Sequence, residues 1–114
     1  MIILNEIIVV EGKYDKIKLS RLFDTLIIAT DGFRIYKDKQ KAQLIKTAAL
    51  KRGVIIITDS DTAGLRIRNR VRQLVGDAKV KNVYLPQIAG KENDLEQMVQ
   101  KGFWGLRAYL TKLS

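Results

Sequence analysis

Two aspartates one residue apart, Asp59 and Asp61, directly follow the apolar run Val54–Thr58, and a lone glutamate, Glu11, directly follows the apolar run Ile7–Val10. Carboxylates brought together repel, and each raises the pKa of the others unless a cation lies among them. The chain has no histidine and no cysteine. That excludes a zinc-finger pattern, a thiol nucleophile, an imidazole base and a disulfide framework. An all-oxygen donor set selects a hard ion, magnesium before calcium or zinc; manganese is the expected substitute for magnesium. Magnesium held by one or two carboxylates commonly reaches a phosphate, where it polarises a phosphoryl oxygen or activates a water. The competing local reading gives each acid a turn or capping role, with Asp61 or Thr62 starting a helix and Asp59 closing a turn.

Positive charge surrounds these acids. Arg66, Arg68, Arg70 and Arg72 alternate just after Asp61, and Lys13 stands two residues after Glu11. On a helix turning about 100° per residue, Ile67, Val71, Leu74 and Val75 form the buried stripe. Arg68 and Arg72 border that stripe on one side, Arg66 and Arg70 on the other. Arg70 and Arg72 read as ordinary edge residues whose aliphatic stems cover the core margin. Lys13, Arg66 and Arg68, nearest the acids, are the candidates for gripping a phosphate. The whole chain carries a formal charge of +9, from 21 basic and 12 acidic residues. Such a balance favours a polyanionic partner, RNA or DNA.

The elements that must position these groups follow from hydrophobic pattern. Residues 7–10 are a continuous β-branched run, the mark of a strand buried on both faces; 26–30 read as a second strand, 54–58 as a third and most apolar one, and a fourth is centred on Val83–Leu85. Helical patterns over about 14–23, 37–51 and 62–75 alternate with them, and Gly53 marks a helix end. Such alternation implies βαβ units and a central four-stranded parallel sheet with helices on both faces, an α/β fold of three layers. Ligand sites in such sheets lie beyond the carboxyl ends of the strands, where strand order reverses. If the first and third strands are neighbours, Glu11, Asp59 and Asp61 meet in one crevice. At 114 residues the chain reads as a single domain, 1–114, with short helices between about 94 and 113 after the last strand. No segment approaches the roughly 20 apolar residues of a membrane span. The first ten residues read as a strand rather than a signal, and the absence of cysteine fits the cytoplasm.

The stretches "VVEGKYD" and "IIITDSDTAGLRIR" resemble the Toprim domain, over about residues 5–88. Its motifs are a glutamate-glycine after the first strand and an Asp-x-Asp after the third, here Glu11-Gly12 and Asp59-Ser60-Asp61. Within the family the second motif is most like that of the nucleases that mature 5S ribosomal RNA. The resemblance implies a three-layer Toprim, Rossmann-like fold. It also implies that Glu11, Asp59 and Asp61 bind magnesium, that Glu11 serves in proton transfer, and that the chain is a nuclease or phosphodiester-transfer domain acting on nucleic acid, structured RNA before DNA. Gly64, Arg66, Ile67 and Arg68 match the motif, whereas Leu65 replaces the glutamate of many relatives and lies opposite the buried stripe. That departure, with no length for the second domain those nucleases carry, leaves a second expectation: a weakly active module that binds nucleic acid or a protein partner. Two other strand-end aspartate families fit less well. A haloacid-dehalogenase phosphatase needs Thr or Val where Ala63 stands, and a receiver domain needs an acidic pair where Glu11-Gly12 stands.

Overall fold

The computed structural model describes residues 2–31, 37–59 and 62–85. Asp61 and the helices expected between about 94 and 113 lie outside the described residues.

The apolar runs form the strands they predict. Strand β2 (Ile7–Val10), β4 (Ile27–Ala29), β5 (Val54–Asp59) and β6 (Val80–Leu85) make one sheet in the order β4-β2-β5-β6. Every neighbouring pair in it is parallel. Side chains of a strand alternate between faces, and the core divides accordingly. Ile8, Val10, Ile27, Ala29, Ile55, Ile57 and Val83 share one face with Leu19 of helix α1 (Lys13–Ser20). Ile7, Val9, Ile28, Val54 and Ile56 share the other with Ile45 and Ala49 of α2 (Lys39–Arg52) and Ile67, Val71 and Val75 of α3 (Thr62–Val75). Burial on both faces is why these strands read as unbroken apolar runs rather than as alternation. Each fully buried isoleucine contributes about 2 kcal/mol of transfer free energy.

Some boundaries differ from the expectation. The first ten residues are not one strand, because polar Asn5 and Glu6 fall at a bend. Before that bend, β1 (Ile2–Ile3) pairs instead with β3 (Phe23–Asp24) in a separate parallel ribbon. Helix α1 correspondingly stops at Ser20, and Phe23 enters the core from a strand rather than a helix. A short pairing between residues 21 apart leaves no periodic signal in either segment, so local pattern could not find it.

The ends of α2 follow capping rules. Asp38 accepts a hydrogen bond from the Lys41 backbone N–H at 2.9 Å, so the helix starts at Lys39 rather than Lys37. Gly53 ends it at φ +81, donating to the Ala49 carbonyl at 2.7 Å.

Candidate functional site

The chain passes from β2 to β4 on one side and then to β5 on the other, so strand order reverses between β2 and β5. These are the strands whose carboxyl ends carry Glu11 and Asp59, and they pair directly, with Val10 opposite Ile57. Carried one residue on, that register sets Glu11 level with Thr58. Asp59, the last residue of β5, stands one step beyond it on a strand about 4.8 Å away. The neighbour relation on which the acidic crevice depends is therefore present.

The backbone beneath Glu11 is tied to the end of β4. Thr30 is fully buried; its N–H donates to the Val10 carbonyl at 2.9 Å and its hydroxyl to the Glu11 carbonyl at 3.3 Å. The Asp31 N–H donates to the same Glu11 carbonyl at 2.9 Å. Asp31 reaches that position at φ +54, a left-handed conformation that aspartate tolerates better than most residues. Lys41, from the first turns of α2, holds the turn in place. Its ammonium donates to the Ala29 carbonyl at 2.7 Å and to Asp31 Oδ2 at 3.2 Å.

The backbone beneath Asp59 is tied by Arg68. Expected at a phosphate, this arginine is instead 2% exposed, among the largest side chains to be so deeply buried. Its Nη1 donates to the Ile56 carbonyl at 3.2 Å and to Asn82 Oδ1 at 2.8 Å. Its Nη2 donates to the Thr58 carbonyl at 3.2 Å and to the Val83 carbonyl. The planar fork thus joins β5 to β6 just behind Asp59, a geometry suited to guanidinium and not to an ammonium. Helical angle places Arg68 beside the buried stripe, as observed, but its head turns inward because strand carbonyls and Asn82 lie there to receive it. A phosphate role for Arg68 is corrected to a structural one.

Lys13 and Arg66 are exposed, at the first residue of α1 and near the start of α3, and both helices begin at the sheet edge that bears the acids. Leu65 is 54% exposed, in agreement with its placement opposite the buried stripe. Gly12 precedes α1 at φ −122, ψ 166, extended backbone open to any residue. A Cβ there would find Asp15 Oδ2 at 3.8 Å, an ordinary van der Waals distance. The fold does not require this glycine, whereas close approach of a ligand to the backbone would.

Among the described residues no three acidic side chains gather into a metal-binding group. The donor types still fit a hard divalent cation: two carboxylate residues at adjacent strand ends, with no histidine or cysteine ligand available anywhere in the chain.

These features define a Rossmann-like parallel α/β domain with acidic residues at its topological switch point. The chain belongs to the Toprim family, whose domain model matches residues 5–85. Ribonuclease M5 of Borreliella burgdorferi is 41% identical over 83 residues, which cover 72% of this chain and 45% of that protein. Ribonuclease M5 of Mycoplasma capricolum is 37% identical over 100 residues, covering 86% and 51% respectively. The chain spans about half the length of these curated relatives. A solved structure titled a small TOPRIM domain protein from Bacillus stearothermophilus shares the fold. It matches with a TM-score of 0.57 at 21% identity, covering 86% of this chain and 88% of that one. No helix among the described residues is long and apolar enough to cross a membrane.

Proposed function

We propose that this domain is a metal-dependent nuclease module that cleaves phosphodiester bonds in structured RNA. The observation that carries the reading is the direct pairing of β2 with β5, which sets Glu11 and Asp59 at adjacent strand ends on the switch point. Similarity to Ribonuclease M5 proteins supports RNA as the substrate class.

In this reading Glu11, Asp59 and Asp61 would hold magnesium, or manganese in its place. Bound there, the ion would neutralise phosphoryl charge and lower the pKa of a water. Glu11, on the strand end braced by Thr30 and Asp31, moves a proton at its carboxylate. Lys13 and Arg66 orient the scissile phosphate from the two helix starts that flank the crevice. Gly12 leaves room for the substrate backbone beside Glu11.

The direct test is cleavage of a folded RNA by the purified chain. Activity is expected with magnesium or manganese, lost on chelation and restored by readdition. An absence of cleavage with either metal would sink the nuclease reading. Salt-dependent binding without cleavage would instead favour the second reading, a binding module. That alternative is supported by exposed Leu65 where the motif of many relatives carries an acid.

Gly12→Ala separates site from scaffold. Its backbone angles and open surroundings predict a stability change within about 0.5 kcal/mol. Cleavage is nonetheless expected to fall at least tenfold, because the methyl group occupies the approach to Glu11. Thermal melting and single-turnover rates measured on the same preparation check both halves.

A further inference from the structure

The net charge of the chain has a location. Helices α2 and α3 together hold nine lysines and arginines and no acidic residue. Taking those nine from the 21 in the chain leaves 12, equal to the 12 acids of the remainder. The whole +9 therefore resides on two helices that pack on the same face of the sheet. Several of the nine have internal tasks. Arg68 is buried, Lys41 pairs with Asp31, and Arg52 donates to the Asn5 carbonyl at 2.6 Å. Arg72 donates to Asp77 at 2.7 Å and holds that carboxyl below its ordinary pKa.

Between the two helices runs an open groove of about 190 Å³, lined by Lys39 and Lys46 from α2 and Arg70 from α3. Ala42 and Leu74 give it an apolar floor. Its one acid, Asp38, is engaged in capping α2. Lys39 and Lys46 stand seven residues apart, about 10 Å along the helix axis, so they would meet successive charges rather than a single anion. Lys39 lies in the first turn of α2, at the sheet edge that bears Glu11 and Asp59. Arg66, one turn before Arg70, continues the line towards the same edge.

We infer that this α2–α3 groove is a track for the phosphate backbone of RNA flanking the cleavage site, gripped by Lys39, Lys46 and Arg70. The inference rests on the reading of the domain as RNA-directed, and it deepens that reading by naming the surface. Each phosphate neutralised releases condensed counterions, so such a track sets both affinity and its salt dependence. A row of point charges on one apolar floor reads backbone and shape, not base sequence.

The test is binding of a fluorescein-labelled RNA hairpin by anisotropy across a potassium chloride series, in chelator so that cleavage plays no part. The triple variant Lys39→Gln, Lys46→Gln, Arg70→Gln is compared with one of equal charge change elsewhere, Lys16→Gln, Arg21→Gln, Lys79→Gln. The groove variant is expected to bind at least tenfold more weakly, with a log–log salt slope shallower by about 2–3, close to 0.9 for each phosphate left without its cation. The control should shift both by less than half as much. Equal weakening of the two variants would overturn the groove in favour of bulk charge. An unaltered groove variant would overturn it in favour of another polyanion or an acidic protein on that face. Because binding is read without metal, a wild-type chain that never cleaves would defeat the nuclease reading and leave this inference standing.

Discussion

Asp59→Asn and Glu11→Gln are each expected to lower metal-dependent RNA cleavage by on the order of 10²–10⁴-fold, the range in which positioned acid–base groups act. The effect on stability should run the other way. In the proposed site the metal-free acids would repel, and removing either charge would relieve that cost to the folded state. Metal-free variants should therefore melt at or slightly above the wild-type temperature. Adding magnesium should stabilise the wild type by about 2.7 kcal/mol at a hundredfold excess over its dissociation constant, because only the folded chain presents the site. The variants should gain little. Calorimetric melts with and without magnesium, run beside single-turnover cleavage, read both quantities. Variants that melt as the wild type does at every magnesium concentration and still cleave would remove Glu11 and Asp59 from the site.

The sheet was legible because strands buried on both faces need apolar residues at nearly every position. Ile7–Val10 and Val54–Thr58 could hardly be anything else. Their adjacency was not legible: parallel pairing is a long-range choice, and only the observed order β4-β2-β5-β6 brings Glu11 beside Asp59. In α3 the buried stripe and the exposure of Leu65 were legible, since both follow from helical angle alone. The partners of the Arg68 head group were not legible, because they are set by what the opposing strands offer. A clue lay in Asn82, a polar residue in the run "VKNVYL". It pairs with Ile56, whose face of the sheet carries α3, so a polar partner in that layer was required. The charge pattern was legible only as a total. That its carriers sit on two adjacent helices needed the knowledge that α2 and α3 lie side by side.

Arg68 should prove the most sensitive single position for stability. Removing its guanidinium leaves the Ile56, Thr58 and Val83 carbonyls without those donors in a region closed to water. A buried acceptor so abandoned costs about 1–3 kcal/mol, and here three strand carbonyls lose a donor at once. Against a usual total of about 5–15 kcal/mol, Arg68→Ala should lose a large share of the fold and melt on the order of 15 °C lower. Arg68→Lys is the informative variant. An ammonium keeps the charge but is a point donor that cannot span both strands as the fork does. It should fold with a partial loss, while Thr58, immediately before Asp59, loses its tether. Misplacement of a reacting group by about 1 Å can cost on the order of 10²-fold in rate, so kcat should fall with little change in KM. A phosphate-gripping arginine would behave otherwise: its loss would raise KM and flatten the salt slope of RNA binding by about one. An unchanged salt slope with a reduced kcat would establish Arg68 as the brace that positions Asp59. A flattened slope with kcat intact would return it to the RNA interface.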